Sequence, residues 1–211
     1  MNFRLFFLFI CLAFLESCMP PRVALVKKTC VDCHQKEYKK YSSDESQHNP
    51  VIEKLCEGCH IPHGAIGALY LKNEGSALCY NCHEKDKERL EKKNLHDPLK
   101  KKNCLTCHNP HSSKSKKLLR IDSNELCFKC HDKENFMSKK IHKPQEEGCV
   151  KCHNPHSSDN PHGLIMPVRQ LCLGCHEANS GLKAAHRDYP FTDSDCTSCH
   201  ASHSSSNEKL L

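Results

Sequence analysis

Sixteen of the eighteen cysteines in this sequence sit in one arrangement, Cys-x-x-Cys-His, which occurs eight times. The copies begin at Cys30 (CVDCH), Cys56 (CEGCH), Cys79 (CYNCH), Cys104 (CLTCH), Cys127 (CFKCH), Cys149 (CVKCH), Cys172 (CLGCH) and Cys196 (CTSCH). Their second cysteines are Cys33, Cys59, Cys82, Cys107, Cys130, Cys152, Cys175 and Cys199, followed by His34, His60, His83, His108, His131, His153, His176 and His200. Two thiols at this spacing can add to the two vinyl groups on one edge of a porphyrin. The histidine that follows is then held beneath the iron as an axial ligand. The pattern therefore reads as eight covalently attached haems c. A disulfide scaffold, the usual use of abundant cysteine in an oxidising compartment, gives no reason for histidine after every second cysteine. Zinc sites pair two C-x-x-C motifs without an obligatory adjacent histidine. Thioredoxin-like dithiols come once, within a βαβ pattern that this sequence lacks.

Nine histidines lie outside the motifs: His48, His63, His96, His111, His142, His156, His162, His186 and His203. Eight haems with a ligand on each face need eight of them. A lone histidine follows each odd-numbered motif (His48, His96, His142, His186), and a close one stands three residues past each even-numbered motif (His63, His111, His156, His203). These eight are the expected distal ligands. His162 is spare and reads as a solvated loop residue, and Met137 and Met166 as packing residues.

Reach constrains the pairing. Histidines on opposite faces of one haem need α-carbons ~13 Å apart, counting two imidazoles and two metal–nitrogen bonds of about 2 Å. Three residues of chain span at most ~10–11 Å. A close histidine therefore cannot cap its own haem. Service to the following haem would leave His203 with none, whereas service to the preceding haem closes the count. The expected pairs are then His63, His111, His156 and His203 with the haems at Cys30, Cys79, Cys127 and Cys172. The lone histidines would serve the haems at Cys56, Cys104, Cys149 and Cys196.

The chain that must position these groups is 211 residues long, with no tryptophan and only 8 Phe and 5 Tyr. It lacks the apolar material for a core of its own, so the cofactors must supply most of the buried surface. The spacing from Cys56 to Cys79 is 23 residues and recurs from Cys104 to Cys127 and from Cys149 to Cys172. A leucine precedes the second motif of each pair (Leu78, Leu126, Leu171), and another stands eight places past each close histidine (Leu71, Leu119, Leu164, Leu211). Such self-similarity signals repeats rather than separate domains. The expected fold is mostly coil with short α-helices and little or no β structure, organised around the eight haems. Four two-haem repeats (about 30–78, 79–126, 127–171 and 172–203) would follow one another in an extended chain. Segments 30–43 and 83–93 are built from good helix formers, while NPHSSKSKK and NPHSSDNPHG read as turn-rich loops.

On these motifs the chain resembles the multihaem c-type cytochromes of the doubled-CXXCH-motif family. It is also similar to the periplasmic multihaem electron conduits of metal- and sulfoxide-respiring bacteria. The resemblance covers about residues 30 to 203. It implies an electron carrier or conduit in anaerobic or extracellular respiration, with bis-histidine haems. Partners would be other redox proteins: a quinol oxidase, other multihaem cytochromes or an outer-membrane porin–cytochrome complex. The alternative is a multihaem reductase acting on nitrite, hydroxylamine or tetrathionate. Such an enzyme needs an open, five-coordinate haem, often marked by an altered motif ending in lysine. All eight motifs here end in histidine and distal ligands are in surplus, which favours the carrier, with no catalytic residue.

The N-terminus MNFRLFFLFICLAFLESC has Arg4, an apolar run from Leu5 to Leu15 and a cysteine at 18. That layout is a bacterial signal peptide over residues 1–17, too short to span a bilayer. The closing LESC resembles a lipoprotein lipobox, with Glu16 off pattern, and makes Cys18 the expected lipidated residue. A linker (18–29), the haem domain (30–203) and a tail (204–211) would follow. The expected location is the periplasm or outer membrane of a Gram-negative bacterium, held by a lipid anchor. The formal charge of +6 invites nucleic-acid binding, but sixteen propionates against eight net-positive oxidised haem cores would bring the loaded protein to about −2. The lysines then read as propionate partners and solvated surface. Scarce aromatics and export leave no role for nucleic acid.

Overall fold

The computed structural model describes residues 28–62, 69–101, 103–187, 189 and 194–211. The leader, Cys18, most of the 18–29 linker and His63 lie outside the described residues. The chain divides into two units, Met1–Gln35 and Lys36–Leu211. In the first, the described part is the helical turn Cys30–Cys33. Asp32 tightens it by accepting from the Thr29 backbone N–H at 2.6 Å and from the Thr29 hydroxyl at 2.8 Å.

The second unit is built without a hydrocarbon core. Among the described residues no hydrophobic side chain is buried, and the buried ones are all serines: Ser76, Ser112, Ser113, Ser157 and Ser158. That inverts the usual preference for apolar interiors. Helices are correspondingly short. The expected helix over 30–43 breaks at His34, leaving Cys30–Cys33 and Gln35–Ser42, and the one over 83–93 forms only at Glu84–Arg89. No helix among the described residues is long and apolar enough to cross a membrane.

The chain is mostly coil with short helices, as expected, and the little β structure it has is specific. The described residues include eight two-residue strands in four antiparallel ladders. These are β1 (Ser46–Gln47) with β5 (Ser112–Ser113), β4 (Asn94–Leu95) with β7 (Ser157–Ser158), β6 (Lys140–Ile141) with β8 (Ser204–Ser205), and β2 (His60–Ile61) with β3 (Tyr70–Leu71). Two-residue strands carry no readable alternation, so periodicity could not announce them. The first three ladders join segments more than sixty residues apart. Each sets the two residues before a lone histidine against the two after a close histidine one repeat further on.

Each repeat also closes a local loop. His60, His108 and His153 lie opposite Leu71, Leu119 and Leu164, which explains the leucine eight places past each close histidine. The Ser113 hydroxyl donates to Leu119 O, and Ser158 donates to Leu164 O in the same way. Ser205 donates to Leu211 O at 2.7 Å. Consecutive residues in these loops turn left-handed: Lys117 and Leu118 (φ 57° each), His162 and Gly163 (57° and 70°), Lys209 and Leu210 (55° and 58°). A non-glycine residue there costs ~1–2 kcal/mol. Its recurrence at three equivalent places means the surrounding structure imposes it. Ser113→Ala would leave the Leu119 carbonyl without its partner in a buried spot, at a cost of about 1–3 kcal/mol. Denaturant unfolding of the haem-loaded protein reads that loss directly.

Candidate functional site

Each described attachment motif is one helical turn. In seven of them, all but the Cys56 motif, the N–H of the motif histidine returns to the carbonyl of the first cysteine at 2.9–3.0 Å, as in His83 to Cys79, His108 to Cys104 and His200 to Cys196. Positions i, i+3 and i+4 of a helical turn share a face, so both thiols and the imidazole leave the backbone on one side. The even-numbered motifs make that turn as 3-10 helix (Cys56–Gly58, Cys104–Thr106, Cys149–Lys151, Cys196–Ser198). Three odd-numbered ones end α-helices, at Ser76–Tyr80, Ser123–Cys127 and Val168–Leu173. None of the sixteen motif cysteines is bonded to another. Among the described residues no three His, Cys, Asp or Glu side chains converge as a metal cluster.

The imidazoles meet in pairs. His48 faces His83 at 6.1 Å between ring centroids, His60 faces His111 at 5.9 Å, and His96 faces His131 at 6.1 Å. His108 faces His156 at 6.0 Å, His142 faces His176 at 6.2 Å, His153 faces His203 at 5.8 Å, and His186 faces His200 at 6.0 Å. Ordinary aromatic contacts also span such distances, but these pairs have a rule that contacts lack. Each joins one motif histidine to one non-motif histidine, and the spread is only 5.8 to 6.2 Å. Two metal–nitrogen bonds of about 2 Å, with about 1 Å from each nitrogen to its ring centre, require ~6 Å. The gap fits a haem iron with an imidazole on either face.

The partners differ from those expected from the sequence. His111, His156 and His203 face the motif histidines of Cys56, Cys104 and Cys149, two motifs back, rather than those of Cys79, Cys127 and Cys172. His48, His96 and His142 face those of Cys79, Cys127 and Cys172, two motifs forward, rather than Cys56, Cys104 and Cys149. Of the described pairs only His186 with the Cys196 motif has the expected partner. The physical reason is the long-range ladders: β1–β5, β4–β7 and β6–β8 lay each lone histidine beside the close histidine of the next repeat. The reach argument itself holds for the described residues, since none of His111, His156 and His203 faces its own motif. His63 with the Cys30 motif lies outside the described residues, and His162 is an exposed loop residue.

Hydrogen bonds fix which ring nitrogen is free. Nδ1 of His48, His96 and His142 contacts the carbonyls of Pro110, Pro155 and Ser202 at 2.9, 2.9 and 3.0 Å. Nδ1 of His108, His153 and His200 contacts the carbonyls of Lys117, His162 and Lys209 at 3.0, 2.9 and 3.1 Å. A carbonyl can only accept, so each Nδ1 carries the proton and each Nε2 keeps its lone pair for a metal. His83 uses a carboxylate instead, Asp86 Oδ2 at 3.0 Å. His60 departs, with Nδ1 buried and unpartnered among the described residues. Burial, and after it the neighbouring histidines, holds His111, His156 and His203 below the usual histidine pKa. That too favours the neutral, ligating form.

Sequence reasoning missed these second-layer groups. The left-handed loops exist to aim a carbonyl at the motif histidine nine residues upstream, and that fixed offset was the available signal. The residues before the close histidine have a similar task. Asn109 Oδ1 accepts from the His111 N–H at 3.1 Å, and Asn154 repeats this with His156 at 3.0 Å. The following proline has no N–H to place, and its carbonyl takes the lone histidine's Nδ1. The close histidine's own carbonyl accepts the lone histidine's backbone N–H: His48 to His111 at 3.0 Å, His96 to His156 at 2.9 Å, His142 to His203 at 2.7 Å. Tyr41 adds an outer wall, stacked on His111 at 4.6 Å.

Thiols of successive motifs also adjoin. Burial, and then the Cys104 thiol that bonds to it, pushes Cys79 up to about 11. Cys127 beside Cys149, and Cys172 beside Cys196, are likewise pushed up to about 11 by burial first and the neighbour second. Cys107 is raised by burial and then by Cys130, and Cys152 by burial and then by Cys175. The thiols of Cys79 and Cys104, Cys127 and Cys149, and Cys172 and Cys196 are thus in hydrogen-bond contact.

A family model for the doubled CXXCH motif matches residues 48–88, 96–136, 142–181 and 189–211. The first three matched segments each hold the two motifs spaced 23 residues apart, and the fourth holds the motif at Cys196. No curated protein matches the sequence.

Proposed function

Since the chain belongs to the doubled CXXCH motif family and is a multihaem c-type cytochrome, we propose that it holds eight haems, each between two histidines, and acts as an electron-transfer conduit. When bound, haem iron supplies reversible one-electron chemistry. The seven facing imidazole pairs carry this reading. A ring on each face leaves no coordination position for a substrate, which favours a carrier over a small-oxyanion reductase. The contacts of Cys79 with Cys104, Cys127 with Cys149 and Cys172 with Cys196 would set the edges of those three pairs of porphyrins together.

The remaining parts of the proposal come from the sequence. Residues 1–17 export the chain, Cys18 carries a lipid, and the protein works at the periplasmic or outer membrane in anaerobic or extracellular respiration. Its partners are other redox proteins: a quinol oxidase, further multihaem cytochromes or a porin–cytochrome complex. Lysines would neutralise propionates. The test is spectroscopic. Pyridine haemochromogen assay is expected to give eight haems per chain, and the reduced protein should be entirely low-spin and inert to carbon monoxide. One high-spin haem that binds carbon monoxide would move the reading to a reductase.

A further inference from the structure

We propose that His186 and His200 hold the last haem, at Cys196 and Cys199, between crossed ring planes, and that this makes it the most easily reduced site of the described array. The proposal rests on the bis-histidine reading above. Six of the seven described pairs are near parallel, with interplanar angles of 17°, 6°, 12°, 29°, 16° and 18°. The seventh, His186 with His200, stands at 73°.

The cause is the structure that leads into the ligand. An interior lone histidine follows a two-residue strand, and the next repeat fixes it twice, through its backbone N–H and through Nδ1. The backbone N–H of His186 turns instead to Leu182 O and Lys183 O of its own helix, at 3.2 and 3.0 Å. The residues before it form the helix Ser180–Ala185, started by Asn179 Oδ1 accepting from the Leu182 N–H at 3.0 Å. Ala184 and Ala185, good helix formers, stand where the interior repeats have strand residues. His186 ends that helix, and its Nδ1 turns back to Leu182 O at 2.8 Å. Its own helix therefore holds this ring nitrogen. This helix keeps His186 within its own repeat.

The plane angle has an electronic consequence. A low-spin ferric iron has one hole in its two π-type d orbitals. Parallel imidazoles donate into the same orbital, split the pair and stabilise the hole. Crossed imidazoles donate one into each, the orbitals stay nearly degenerate, and the ferric state loses that stabilisation. Reduction becomes easier, the axial ligands being one of the protein's levers on potential. One electron passing from the Cys172 haem would leave that iron ferric and make the Cys196 iron ferrous. A one-electron redox protein would then collect it at this end.

Electron paramagnetic resonance of the fully oxidised, haem-loaded protein tests this. One strongly anisotropic low-field signal is expected beside the three-line rhombic signals of the parallel pairs. In a redox titration it should disappear at a more positive potential than they do, and His186→Met should abolish it while leaving them in place. An all-low-spin protein without that signal overturns the inference and leaves the bis-histidine reading intact. So does a signal that survives His186→Met, or one that titrates below the rhombic set. A high-spin signal from the wild-type protein would instead overturn the bis-histidine reading itself. Should the variant fail to mature, the wild-type spectrum and titration still decide.

Discussion

Deprived of haem, the chain is expected to lose its fold almost completely: a coil-like far-ultraviolet spectrum, no cooperative melting and amide exchange near the unprotected rate. The expectation comes from what is missing inside. Among the described residues the only buried side chains are serines, and large apolar residues such as Leu55, Leu69, Tyr70 and Val150 are about half exposed or more. Ordering each residue costs ~1–2 kcal/mol of backbone entropy. A hydrogen bond returns a net ~0.5–1.5 kcal/mol, and the ladders hold only two residues per strand. The longest described helix, Gln35–Ser42, has 8 residues, below the ~12–15 at which isolated helices become even marginal. Hydrogen bonds alone cannot hold these loops. The porphyrin faces, gripped by paired imidazoles and two thioethers each, are the apolar surface against which the chain closes. Expression without haem attachment, followed by circular dichroism and hydrogen exchange, makes the comparison. A compact apoprotein with a sigmoidal unfolding curve would show that a core exists elsewhere.

Most of the chemistry was legible in the sequence because covalent haem attachment is local. Cys104, Cys107 and His108 must share one helical turn, so their spacing records their task. The wiring was not legible, because it depends on contacts more than sixty residues apart. A count of ligands that closes at both ends is satisfied by pairing within a repeat and equally by pairing between repeats. What separates the two is a pair of hydrogen bonds from His48 to the carbonyls of Pro110 and His111. Carbonyls leave no trace in a sequence. Nor do left-handed lysines such as Lys117 and Lys209, since lysine is not a residue that announces a positive φ. The Asn-Pro-His segment was visible, but its meaning was not. Asparagine caps the turn, proline presents a carbonyl, and histidine crosses to the repeat before.

His111→Met is the substitution that separates those two wirings most sharply. It is expected to alter the haem at Cys56 and Cys59, whose motif histidine His60 faces His111 at 5.9 Å, and to leave the haem at Cys79 as it was. Exchanging one imidazole for a thioether raises the potential, here by a sizeable fraction of the roughly 0.8 V that axial ligands can cover. One haem should therefore separate from the low end of the titration and acquire the weak red absorption of an iron–sulfur bond. The Cys79 haem is spared because His48 is held by the backbone at Pro110 and His111 and not by the His111 ring. Identity follows from a second change. In the background of Cys56→Ala with Cys59→Ala the shifted haem should vanish, whereas Cys79→Ala with Cys82→Ala should leave it in place. The opposite outcome would return each close histidine to the haem immediately before it. His48→Met gives the mirror result, moving the Cys79 haem alone, since His48 faces His83 at 6.1 Å. Because the two ligands are joined through one peptide segment yet serve different irons, each substitution changes one potential while the ladder between the repeats stays closed. Which haem moves, rather than how many, is what distinguishes an interleaved array from a string of self-contained two-haem repeats.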